Sequence, residues 1–170
     1  AVVYNGIPDF FINRKRIYAK LKHDQTKRVV AVGNYYYSKG MDLLLSIVND
    51  MPEIEYHFFG DIFNGLSEEK RSEIQKRLTN NVIIYGKVER KVFVKFLSEN
   101  NSVVCIPSRS EVCSLVAIEA LASSHPMVVS DIPTFHEIIN DLGIQLDIGF
   151  CSSFFLKDFR LVNQKDLLQK

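Results

Sequence analysis

The chain is predicted to be an α/β protein, a Rossmann-like parallel sheet with helices on both faces. Three observations predict it. Short apolar runs rich in β-branched and aromatic residues recur along the chain, several of them closing on glycine or serine. Segments with helical spacing alternate with those runs. The runs are apolar throughout, as expected of strands covered on both sides in a parallel sheet.

Val2-Val3-Tyr4 is a strand-like run stopped by the turn dipeptide Asn5-Gly6, with Pro8 just beyond. From Phe10 to Lys27 the chain is polar and basic with scattered aromatics, which reads as a connecting segment with a helical turn around Arg16 to Lys22. Regular alternation begins at Arg28. Val29 to Gly33 is the first strand, and a loop through Lys39-Gly40 leads into a helix from Met41 to Val48. Glu55 to Gly60 is the second strand. The helix after it, Ser67 to Leu78, carries a serine N-cap and acids in its first turn. Asn81 to Gly86 and Arg90 to Glu99 form the third pair, Ser102 to Ile106 and Ser114 to Ser123 the fourth, and Met127 to Ser130 and Thr134 to Asn140 the fifth. Gly143 to Ile148 reads as a last strand, and the pattern weakens after Cys151.

A length of 170 residues suits one domain and is short for a two-domain enzyme. A net charge of +1 gives no reason to expect nucleic acid or an anionic membrane as the main partner. The three cysteines, Cys105, Cys113 and Cys151, form no CxxC pair, so a reducing compartment is expected. No apolar run approaches the roughly 18 residues of a membrane span. Ala1 is not a methionine, and an excised domain is expected.

There is no GxGxxG and no GxxxxGK[ST], which removes the main support for dinucleotide oxidoreductase and P-loop chemistry. No HExxH or Cys/His cluster suggests a metal. The informative stretch runs from Pro107 to Ala122, a strand–loop–helix junction of the kind where parallel sheets place ligands. The amides of Ser114, Leu115 and Val116 would be unpaired donors in the first turn of its helix, suited to an anion. Glu111 lies in the loop. Glu119 is the only charge in an otherwise apolar helix, where a carboxylate needs donors and sugar hydroxyls would serve. Lys39, in the first loop, can reach a phosphate at the sheet's carboxyl edge or sit in solvent. Cys113 reads better as a small apolar loop residue than as a reactive thiol. Tyr35, Tyr36 and Tyr37 could stack on a ring or pack over their loop, and Glu137 alone favours solvent.

Taken together, Val32-Gly33-Asn34-x4-Lys39-Gly40, Tyr85-Gly86-Lys87-Val88, and Pro107-Ser108-x2-Glu111-x7-Glu119-Ala120-Leu121-Ala122 resemble the carboxyl-terminal half of a group 1 (family four) glycosyltransferase of the GT-B fold. The likeness continues through Pro126-Met127-Val128-Val129-Ser130 and Glu137 to about Asp147. An E-x7-E pair alone is weak, but in this order and frame the set is specific. Residues 1–27 are expected to be an interdomain linker, 28–150 a nucleotide-sugar-binding domain and 151–170 a partly helical tail. The resemblance implies a UDP- or GDP-sugar as donor substrate, no tightly bound cofactor and no metal. Lys39, with Gly33 and Asn34 beside it, would hold the diphosphate, and Gly86, Lys87 and Val88 would meet the base. Cys113 and the amides of Ser114, Leu115 and Val116 would line the phosphate or sugar. Glu111 would take the sugar hydroxyls and Glu119 the ribose. Glu111 and Lys39 are the expected catalytic pair, in a retaining transfer to a glycan or lipid-linked acceptor.

The sequence departs from that pattern at Asn34, where the family usually has an arginine, and at Ser114 and Ser124, where glycine is common. Asparagine supplies neither the planar fork nor the charge of arginine. The acceptor domain is expected to lie outside this chain, which alone would bind donor without transferring sugar. A cytoplasmic location is expected, with contact at the inner face of a membrane made through the other half. Two rivals stay open: an inactive GT-B half acting as a binding or assembly module, and a GT-B nucleotide-sugar epimerase.

Overall fold

The computed structural model describes residues 26–123 and 125–141. The expected linker up to residue 25, the last strand at Gly143 to Ile148 and the tail lie outside them. The chain runs β1 (Arg28–Val32), a 3-10 turn (Tyr37–Lys39), α1 (Met41–Ile47), β2 (Glu55–Phe59), α2 (Glu68–Arg77), β3 (Val82–Gly86), α3 (Arg90–Glu99), β4 (Val103–Ile106), α4 (Leu115–Ala122), β5 (Met127–Val129) and α5 (Pro133–Asp141). The strands form one sheet in the order β3-β2-β1-β4-β5. Every pairing is parallel, with Val30 beside His57 on one side and Val104 on the other. The order reverses between β1 and β4. In such sheets that reversal opens a crevice at the carboxyl ends of the two strands.

Successive residues of a strand point to opposite faces, and the inner strands are covered on both, whereas the edge strand β3 leaves Ile83, Ile84 and Tyr85 exposed. Val29, Ala31, Tyr56, Phe58 and Cys105 pack with Met41, Leu44 and Ile47 of α1. Val30, Phe59, Val104, Ile106 and Met127 pack with Phe93 and Leu97 of α3, Ala117 and Ala120 of α4, and Phe135 and Ile138 of α5. This explains why the inner strands read as apolar runs. Burial of a side chain such as Phe58 or Leu97 stabilises the fold by about 1.5–3 kcal/mol. In the same apolar surroundings the Cys105 thiol is pushed up to about 12, so it is an inert packing group.

Local signals account for the helix ends. Ser67 caps α2 by accepting from the Lys70 amide, with Glu68 and Glu69 in the first turn and Lys76 and Arg77 in the last, all matching the helix dipole. Pro133 opens α5, where its missing N–H is not needed. Asn81, read from the sequence as the first residue of β3, instead precedes it. Its side-chain amide donates to the carbonyls of Val48, Met51 and Ile54, satisfying the segment between α1 and β2. The 3-10 turn ahead of α1 was not anticipated. It exists because Gly40 takes φ +65 and closes the turn through its amide to the Tyr37 carbonyl.

Candidate functional site

The loops after β1 and β4 meet at the reversal point and are tied by both backbone and side chains. A Cβ on Gly40 would lie 1.9 Å from the Pro107 carbonyl oxygen, so only glycine allows this approach. The Arg109 amide donates to the Ser38 carbonyl at 2.8 Å. The Arg109 guanidinium forms two bonds of 2.7 Å to the Asp42 carboxylate and one of 2.8 Å to the Tyr37 carbonyl. It also lies under the Tyr37 ring, 4.1 Å from the centroid. The bond from Arg109 holds the Asp42 carboxyl below the usual range, and the same bond raises Arg109. Of the three loop tyrosines, Tyr37 therefore stacks on a protein cation and Tyr35 packs against the α1 side of the core.

Within this frame Lys39 and Glu111 come together. Lys39 Nζ donates to Glu111 Oε1 at 2.7 Å, and the buried Ser108 hydroxyl donates to the same oxygen at 2.9 Å. Thr134, at the start of α5, donates to the Glu111 carbonyl and fixes the loop from the far side. Val112, the next residue, is 97% exposed, an apolar side chain offered to solvent at the loop tip. Cys113 is half-buried beside it.

The chain enters α4 at Ser114, whose buried hydroxyl accepts from the Ala117 amide. One of the first-turn donors is thus taken internally. Glu119 is 1% exposed. Its carboxylate is met by the Arg90 guanidinium, which opens α3 and is itself half in solvent. Arg90 is thus the cation that compensates the buried charge of Glu119. The sequence does not reveal this partner by spacing, though one signal was present. A cation at a helix N-terminus opposes the dipole, so Arg90 there calls for a compensating acid.

The remaining predicted positions fall around this core. Gly33 and Asn34 join the first loop to the second: the Gly33 amide donates to the Phe59 carbonyl, and Asn34 Oδ1 accepts from the Asp61 amide at 3.2 Å. Asn34 therefore ties two loops, a role arginine could not fill in the same way. Gly86 accepts from the Gly60 amide at 2.7 Å. Lys87 is exposed, while Val88 packs against the same core cluster as Val116. Lys39 thus pairs with Glu111 in the loop before α4, and Arg90 with Glu119 inside α4. Besides Arg90, the sequence reading gave no roles to Asp42 and Arg109. Glu137 is exposed on α5.

The reversal point of this open parallel sheet thus carries a lysine, the start of a helix and two carboxylates, each already in an ion pair. Residues 13–153 match the family described as glycosyl transferases group 1, and the chain belongs to that family. The O-antigen biosynthesis glycosyltransferase WclY of Escherichia coli is 30% identical over 158 residues, covering 86% of this chain and 42% of that protein. A processive diacylglycerol alpha-glucosyltransferase of Acholeplasma laidlawii is 30% identical over 114 residues, covering 65% of this chain and 33% of that protein. Among solved structures, Anabaena Alr3699/HepE in complex with UDP and glucose superposes with a TM-score of 0.55 at 19% identity, covering 66% of this chain and 31% of that one. At that identity the likeness concerns the fold. The chain spans between 30% and 44% of the length of the curated relatives that it matches.

Proposed function

We propose that this chain is the donor-binding domain of a retaining glycosyltransferase that moves a sugar from a nucleoside-diphosphate sugar to a glycan or lipid-linked acceptor. The observation that carries the reading is Glu119. It is a buried carboxylate one turn into an otherwise apolar helix, and the arginine that pairs with it is half in solvent. A buried carboxylate needs donors, and the hydroxyls of a ribose would supply them in place of Arg90 once that side chain swings aside.

The other roles follow from chemistry. Lys39 and the amides of Leu115 and Val116 neutralise the diphosphate as the bond from the anomeric carbon to its oxygen breaks. Glu111 accepts from the transferred sugar's hydroxyls and fixes its orientation. Gly33 and Asn34 border the diphosphate, Cys113 and Ser114 the sugar side. Gly86, Lys87 and Val88 border the base. The acceptor, and the groups that deprotonate its hydroxyl, belong to a second domain outside this chain. The proposed setting is cytoplasmic, at the inner face of a membrane, in polysaccharide or glycolipid synthesis. Both E. coli WclY and the Acholeplasma enzyme carry names of that kind.

Thermal melts with UDP, GDP and ADP and their sugars test this. A ligand at 100 times its Kd adds about 2.7 kcal/mol to the folded state. One nucleotide series is expected to raise the melting temperature, and no shift with any of them refutes the reading. The second reading, a binding module without transfer activity, is favoured by Asn34, which leaves the first loop with Lys39 as its proposed diphosphate cation.

A further inference from the structure

Two side chains assigned to different parts of the donor are bonded to each other. Lys39 Nζ lies 2.7 Å from Glu111 Oε1, with the lysine side chain 36% exposed and the glutamate 8%. The Ser108 hydroxyl donates to that same oxygen. Arg109, the neighbouring cation, is committed in bidentate fashion to Asp42. Glu111 therefore depends on Lys39 for charge compensation, and a carboxylate so little exposed needs it.

We propose that the Lys39–Glu111 pair makes this site favour the intact nucleotide-sugar over the nucleoside diphosphate left after transfer. The inference rests on the donor-binding reading above. A nucleoside diphosphate draws on the charge of Lys39 and brings its own negative charge towards Glu111. It thus weakens the one ion pair the carboxylate has among the described residues and adds repulsion. The intact donor makes the same demand on Lys39 but adds sugar hydroxyls, which donate to Glu111 and offset the loss. Glu111 then acts with opposite sign on the two ligands: it strengthens binding of the sugar donor and weakens binding of the spent nucleotide. A site tuned in this way releases its product without a separate device. A residue that merely shaped the loop would shift both affinities in the same direction.

The test is calorimetric titration of the whole chain and of Glu111→Gln with UDP and with UDP-glucose at one fixed salt concentration. ADP with ADP-glucose and GDP with GDP-mannose are run in parallel. For the nucleotide series that binds, Glu111→Gln is expected to hold the free diphosphate about threefold to tenfold tighter. It is expected to hold the sugar donor more weakly, so the preference collapses or reverses. Glu111→Ala, checked by its melt, should move the free diphosphate in the same direction. Unchanged or weaker diphosphate binding in both variants overturns the proposal, as does a parallel loss for both ligands. If the unsubstituted chain binds none of these probes, the donor-binding reading itself fails and this inference falls with it. That result is distinct from binding with the wrong sign.

Discussion

Removing Arg90 from the pair with Glu119 should destabilise the domain measurably, because it strands a carboxylate that is 1% exposed. Opposite charges in contact near a protein surface interact by about 4 kcal/mol at an effective dielectric constant of 20. Arg90 has 45% of its side chain in solvent, where water screens the charge. Roughly half of that interaction survives the screening, so Arg90→Met should cost about 2 kcal/mol. For a chain of 170 residues that corresponds to a fall of about 6 °C in Tm. Urea denaturation at pH 7 reads the loss directly. The double variant Arg90→Met/Glu119→Gln removes the stranded charge and should regain at least about 1 kcal/mol of it. If Arg90→Met costs less than about 0.5 kcal/mol, or if the two substitutions simply add, Arg90 does not compensate Glu119.

Other consequences concern the joined loops. Gly40→Ala places a methyl group 1.9 Å from the Pro107 carbonyl, whereas Gly65→Ala, at φ +79, meets nothing within 4 Å. Both carry backbone strain of about 1 kcal/mol, but only Gly40→Ala should lose a further 1–3 kcal/mol by parting the loops, as read by denaturation midpoints. Asp42→Asn breaks the clasp to Arg109 and should cost about 0.5–1 kcal/mol at pH 7, the group being about a third exposed. Because the native Asp42 pKa is lowered, its contribution is complete above the unfolded value near 3.9. It is lost as pH falls through the lower native value, so melts of the two proteins should converge in that acid range. A gap that persists unchanged there would contradict the assignment.

The fold was legible because each buried strand must be apolar and each helix must show a spacing of its own. Val29 to Val32 and Val103 to Ile106 could hardly be read otherwise. Ser67 announced α2 by its capping chemistry, and that cap is formed. The first strand of the third pair was misjudged at Asn81 because a side chain that caps three carbonyls leaves no periodic trace. The individual site residues were legible in part. Glu119 stood out as a charge among apolar neighbours, and its burial agrees with that contrast. Its partner did not stand out, and neither did the joining of Lys39 to Glu111 across 72 positions or of Asp42 to Arg109 across 67. Those contacts are created by the β1–β4 adjacency, which brings two distant loops to one edge. Local patterns report on neighbours in sequence, and a crevice at a reversal point is made of neighbours in space.

The most direct measurement is a calorimetric titration of this chain, and of Lys39→Met, with UDP, GDP and ADP and their sugars. The account predicts saturable binding of one nucleotide series by the unsubstituted chain, and a loss of about tenfold or more in Lys39→Met as the diphosphate forfeits its cation. No binding by the unsubstituted chain, or equal affinity in Lys39→Met, would contradict it.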